Sequence, residues 1–215
     1  PRLAHVGVVT FVRLDGSTMA DCVALARRVG QAIGERFQIP VFLYEEAARS
    51  RERRNLADVR RGGFEKLADR MAAGFLPDYG PSVPHPTAGA SGVGARKLLV
   101  AFNVNLSTNR LEVAHAIAGA IRSSNGGLPC VKALGLPLDN RSIVQVSMNL
   151  TDFRRTSIRQ AFDAVAREAA MRGVKVLESE IIGLTPAAAL DEETAAAIRL
   201  PGDWREKILE RRLPG

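Results

Sequence analysis

Cysteine is scarce: Cys22 and Cys130 stand alone, in no Cys-x-x-Cys spacing. That spacing argues against both a thiolate zinc site and a disulfide framework, and it suits a reducing compartment. Histidine is scarce too, with three in the chain. None has a second His, Cys or carboxylate at ligand spacing, so no metal is expected. No apolar run approaches the roughly 18 residues that a membrane span needs, and no charged-then-apolar signal segment opens the sequence. The expectation is a soluble, cytoplasmic protein with no membrane partner. Aromatic residues make up only 5%, few for a domain that would stack unpaired bases.

What is present is enough for a core and for an anionic partner. The 215 residues are 46% hydrophobic, sufficient for one large domain or two small ones. The 30 Lys+Arg against 23 Asp+Glu leave a formal charge of +7, which favours a polyanionic small molecule, a nucleic acid or an acidic protein.

The second half alternates cleanly between strand and helix periodicities. KLLVAFNVNL (97–106) reads as a strand, with Leu98, Val100, Phe102, Val104 and Leu106 on one face and Leu99, Ala101, Asn103 and Asn105 on the other. A helical stripe of Leu111, Ala114, Ala118 and Ile121 follows, ended by Asn125-Gly126-Gly127. VKALGLPL (131–138) and SIVQVSMNL (142–150) flank the polar turn Asp139-Asn140-Arg141 as a hairpin. A helix over 156–172 and a strand KVLESEIIGL (175–184) complete the order β-α-β-β-α-β, the split unit of a ferredoxin-like plait.

In that topology the first and third strands are central, and both helices cover one face. Asn103, Asn105, Gln145, Ser147 and Asn149 then share the other face. They are either simply solvated or the floor of a ligand site, since amides on rigid strands donate and accept toward a planar polar molecule.

The first half reads as a partial plait. LAHVGVVTFVRL (3–14) is a strand, residues 18–36 a helix and PVFLY (40–44) a second strand. Two strands and one helix do not enclose a core, so an unpaired half-sheet points to association, as in a homo-oligomer. The arginine-rich run 49–63 is either a solvated basic face or an anion-binding flank. Residues 77–97, PDYGPSVPHPTAGASGVGARK, carry four prolines and four glycines and read as a loop joining the halves. The boundaries expected are 1–94, 95–200 and a charged helical tail at 201–215 that includes Trp204.

Several of these stretches carry a resemblance: PVFLYEEAAR (40–49), RRNLADVRRGGFE (53–65), HPTAGA (85–90) followed by GARKLLVAFNVNL (94–106), SSNGGLPCVKALG (123–135), IVQVSMNLTDF (143–153) and SEIIGLTPAAAL (179–190). Together they resemble the formiminotransferase domain of the glutamate formimidoyltransferase family. The resemblance implies an α+β fold of two ferredoxin-like subdomains, here one complete and one partial, with folate in a groove between them. It implies transfer of a formimino group from N-formimino-L-glutamate to N5 of tetrahydrofolate, the co-substrate, in histidine degradation. The family's folate-binding segment falls on Gly80, Pro81, Ser82, Val83, Pro84, His85, Pro86, Thr87, Ala88 and Gly89. Glycines permit close backbone approach to a ligand and prolines stiffen the loop, which agrees with that role. Arg96, Lys97 and Arg49 are the candidates to offset substrate carboxylates, and Asn103, Asn105 and Asn149 to line the site. Of the histidines, His85 is the one expected to touch ligand, while His115 reads as structural and His5 as a packed or surface group.

The family's catalytic histidine comes immediately before a Pro-Arg dipeptide, and Pro1-Arg2 opens this sequence. No residue here is therefore assigned as catalytic. The family's pattern also changes at Gly7, Thr10 and Arg13, and at Thr156-Ser157-Ile158-Arg159. The expectation is a piece of a longer enzyme; the alternatives are a short non-catalytic folate-binding or scaffold paralogue and, less favoured for want of stacking aromatics, a basic RNA-binding plait.

Overall fold

The computed structural model describes residues 7–14 and 16–212. Contacts divide the chain into two compact units, 1–97 and 98–215.

The first unit is built on β1 (Val8–Val12), α1 (Met19–Phe37), β2 (Val41–Glu45), the short helices α2 (Leu56–Val59) and α3 (Leu67–Ala72), and β3 (Ser91–Arg96). Helix α1 starts where the sequence favours it: Thr18 accepts the Asp21 amide, and the Asp21 side chain accepts the Thr18 amide, a reciprocal capping box. The sheet order is β1-β3-β2 with every pairing parallel. Parallel strands covered on both faces are apolar throughout. Val41, Phe42, Leu43 and Tyr44 of β2 are accordingly all buried. One cluster joins Val41, Leu43, Val93 and Ala95 to Cys22 and Ala26 of α1; the other joins Phe42 and Tyr44 to Val59, Leu67 and Met71.

Strand β3 corrects the reading of 77–97 as loop throughout. Ser91-Gly92-Val93-Gly94-Ala95 is the central strand of the sheet and is buried. The half-sheet expected from two strands thus has a third strand between them. The physical reason is Tyr44. Thr10, Gly94 and Tyr44 stand in one register row, and a Cβ on Gly94 would lie 2.6 Å from the Tyr44 ring. The ring crosses β3 at that glycine, and its hydroxyl shares a short hydrogen bond with Thr10 on β1. Space for that ring requires a residue without a side chain, in a strand whose own composition reads as loop.

The second unit is the complete plait: β4 (Val100–Leu106), α4 (Leu111–Ile121), β5 (Val131–Leu138), β6 (Ile143–Leu150), α5 (Ile158–Met171), β7 (Val176–Ile182) and a further helix α6 (Glu192–Ala197). The antiparallel order β5-β6-β4-β7 sets the first and third strands side by side at the centre. Val100, Phe102, Val104 and Leu106 pack with Val144, Val146 and Met148 against Ala114, Ile117, Ile158, Phe162 and Val165 of the helices. Trp204 and Ile208 join this core: Ile208 is buried, Thr185 and Ile208 form a parallel bridge, and Trp204 packs on the cluster. The segment is two short 3-10 turns, Trp204–Lys207 and Leu209–Arg211. His115 is exposed on α4, and His5 lies outside the described residues.

Candidate functional site

The Gly80–Gly89 segment leaves the first unit's sheet through Tyr79, which bridges to Val41 at the start of β2. The Val41 amide donates to the Tyr79 carbonyl at 2.9 Å, and the Asp78 amide to the Val41 carbonyl at 2.8 Å. Gly80 is required there twice over. Its φ is +82°, and a Cβ would lie 2.5 Å from the Ile39 carbonyl oxygen.

The far end of the segment is a tight closed loop. His85 and Gly89 exchange backbone hydrogen bonds of 2.8 and 2.9 Å. Inside it, the amides of Thr87 and Ala88 donate to His85 Nδ1 at 3.3 and 3.1 Å. A ring nitrogen that accepts from backbone N–H groups carries no proton, which places the ring proton on Nε2. His85 is therefore oriented by its own loop, with Nε2–H left as a donor. Gly80, Ser82, Val83, Pro86 and Thr87 are exposed, Pro81, Pro84, His85 and Ala88 are half-buried, and Gly89 is buried.

Asp78, just before the segment, holds its flank. Its side chain is only 3% exposed and forms an ion pair of 2.7 Å with Arg53, while the Leu43 amide donates to the same oxygen at 2.7 Å. The Arg53 guanidinium also lies over Phe42 and Phe75. Arg96, at the end of β3, is half-buried, and its Nη1 donates to the Lys97 carbonyl at 3.0 Å. Desolvation depresses its pKa, partly countered by Tyr44 and Glu45. Burial likewise pushes the Tyr44 phenol up.

On the polar face of the second unit's sheet, side-chain hydrogen bonds link β4, β6 and β7. Asn103 and Asn105 are buried rather than solvated, and they are spent on partners within the sheet. Asn103 Nδ2 donates to Glu180 at 2.9 Å and Asn105 Nδ2 to Glu178 at 3.1 Å. Gln145 Nε2 donates to Asn105 Oδ1 at 2.9 Å and to Glu180 at 2.8 Å. Arg141 from the hairpin turn pairs with Glu178. The arginine and Asn105 together hold the Glu178 carboxyl below its ordinary pKa. Asn105 and Gln145 are 2% and 4% exposed, so the amides of the network are buried, while Glu178 and Glu180 are half-buried and Arg141 reaches the surface. Asn149 stands apart, exposed, opposite Ala101 and Lys132.

The sequence reading missed Glu178 and Glu180. The signal was their spacing of two on a strand, which puts both on one face, opposite the asparagines of β4. Phe102 is buried in the core, and the polar residues of β4 and β6 on this face include no aromatic.

Comparisons with known proteins cover nearly the whole chain. The family described as "Formiminotransferase domain, N-terminal subdomain" matches residues 1–96, and "Formiminotransferase domain" matches residues 101–199. The "Glutamate formimidoyltransferase" of Streptococcus pyogenes serotype M1 is 42% identical over 217 residues, covering 100% of this chain and 73% of the relative. That of Thermoplasma acidophilum is 44% identical over 216 residues, covering 99% and 71%. The "Formimidoyltransferase-cyclodeaminase" of Sus scrofa is 40% identical over 202 residues, covering 91% of this chain and 37% of the relative.

Proposed function

This chain belongs to the glutamate formimidoyltransferase family, and from that premise we propose that its Gly80–Gly89 segment grips the folate co-substrate of that reaction. The activity is transfer of the formimino group from N-formimino-L-glutamate to N5 of tetrahydrofolate, a step of histidine degradation that feeds one-carbon metabolism. In bond terms, N5 bonds to the formimino carbon, the bond from that carbon to the glutamate nitrogen breaks, and the proton lost by N5 is balanced by one gained by the departing amine. Neither substrate needs to be oxidised or reduced. The contribution asked of the protein is to hold two small molecules in reacting order, where proximity alone supplies a large part of the rate.

The observation that carries the binding role is the closed His85–Gly89 loop, whose imidazole is locked by two backbone amides. A loop already in one shape loses little entropy on binding. Its Nε2, without a hydrogen-bond partner among the described residues, and the exposed backbone beside it suit the amide and carbonyl edges of a pterin. Arg96 adds a desolvated cation in the same unit for an anionic ligand. In the second unit we assign Asn103 and Asn105 to stiffening the sheet, and Asn149 to ligand contact because its amide is exposed.

The test is calorimetric titration of the chain with folinic acid. Saturable heat and a rise in unfolding temperature are expected; no heat and no stabilisation would sink the assignment.

A further inference from the structure

Arg49, beside Tyr79 at the start of the Gly80–Gly89 segment, is both held in place and left half-open. Its guanidinium lies 4.7 Å over the Tyr79 ring, and its Nη2 donates to the Tyr79 hydroxyl at 2.8 Å. The ring beneath it is itself fixed: a Cβ on Gly30 would lie 3.4 Å from Tyr79 Cδ2, and one on Gly34 only 2.8 Å from Tyr79 Cβ. Tyr79 therefore lies directly on α1, with Arg49 stacked on it. The next residue along the chain is Gly80.

Two arginines near Asp78 have opposite fates. Arg53 spends its donors on the Asp78 carboxylate and the Leu76 carbonyl, and its side chain is 16% exposed. Arg49 Nε is 3.7 Å from Asp78 Oδ1, too far for a hydrogen bond, and its side chain is 50% exposed. The Tyr79 hydroxyl is its one hydrogen-bond partner among the described residues. A planar fork whose stem is stacked and oriented, with most of its five N–H donors unspent, is pre-organised for a bidentate carboxylate.

We propose that Arg49 is a specificity residue that binds a glutamyl carboxylate of the ligand at the entrance to the Gly80–Gly89 segment. This rests on the folate reading above and names the group recognised. Two ligands of the reaction carry that chemistry: the glutamate tail of the folate, and formiminoglutamate itself. Tyr79 acts as the positioning residue, its ring and hydroxyl fixing the plane of the fork.

The experiment titrates the wild-type chain, Arg49→Ala, Arg49→Lys and Tyr79→Phe with three probes: folinic acid, the same compound lacking its glutamyl group (5-formyltetrahydropteroate), and N-formimino-L-glutamate. If the folate tail is the partner, Arg49→Ala weakens folinic acid about 10- to 100-fold, the range of a charged hydrogen-bonded pair. Binding of the pteroate is then unchanged. If the substrate is the partner, the loss falls on formiminoglutamate alone. Either pattern supports the proposal, with Arg49→Lys recovering only part of the loss because it keeps the charge without the fork. Unfolding temperatures of Arg49→Ala should stay close to wild type. Should that variant unfold, Tyr79→Phe, which keeps the ring and loses the hydroxyl, reads the same discrimination at smaller amplitude. Equal weakening of all three probes, or none, overturns the role of Arg49 while leaving folate binding intact. A wild-type chain that binds none of the three overturns both readings together.

Discussion

The ring of Tyr44 occupies the space that a side chain on Gly94 would fill, with ring carbons 2.6 to 2.7 Å from the position of a Cβ there. Tyr44 thereby spans three strands, from its own β2 across β3 to Thr10 on β1. Gly94→Ala should destabilise the first unit by about 1–3 kcal/mol through overpacking. Tyr44→Phe, which only removes the bond to Thr10, should cost about 1 kcal/mol. Denaturant unfolding of both variants measures this, and Gly94→Ala placed in a Tyr44→Leu background should cost less than in wild type. Equal costs in the two backgrounds would disprove the steric coupling.

Arg53 and Arg49 separate structure from binding. Removing Arg53 leaves the buried Asp78 carboxylate without its close cation. Because an uncompensated buried charge is expensive, Arg53→Ala should cost about 3 kcal/mol. Arg49→Ala, removing a partner at 3.7 Å from a half-exposed position, should cost well under about 1 kcal/mol. Urea midpoints of the two variants test the ordering.

Glu178 supplies a pH dependence. Hydrogen bonds from Arg141 and Asn105 hold its folded pKa below the ordinary glutamate value. The stabilisation is therefore complete above the unfolded pKa, near about 4.3, and is lost as pH falls through the lower, folded value. Glu178→Gln should flatten the fall of stability with pH below about 4.5 and leave the region above pH 6 with a constant offset. Thermal unfolding at intervals from pH 3 to pH 7 measures the two slopes, and identical acid limbs would refute the assignment.

His85→Ala removes the acceptor for the Thr87 and Ala88 amides. Both amides are near the surface and can turn to water, so global stability should change little. The loop should lose its fixed shape, and folinic acid affinity should fall about tenfold, the equivalent of about 1.4 kcal/mol. His85→Asn, which offers a side-chain acceptor at similar reach, should recover part of it.

The plait was legible because its signals are local. Val100, Phe102, Val104 and Leu106 alternate with polar residues, the capping box at Ser157 and Gln160 starts α5, and a polar triplet turns the hairpin. Strand β3 was not legible because its evidence lies elsewhere: Gly92 and Gly94 read as loop until Tyr44, fifty residues earlier, is known to lie across them. The same holds for the polar face. Asn103 and Asn105 were visible, yet whether they face water depended on Glu178 and Glu180, and their pairing is set by the antiparallel register of β4 with β7. The composition of 201–215 suggested a charged helical tail, whereas Ile208 is buried and bridges to Thr185.

The most direct test of folate binding by the Gly80–Gly89 segment is amide hydrogen exchange of the chain with and without saturating folinic acid. Protection concentrated in peptides covering Gly80–Gly89 is the result expected, with a weaker effect extending to Tyr79. Saturable binding with unchanged exchange in those peptides, or protection confined to other segments, would contradict it.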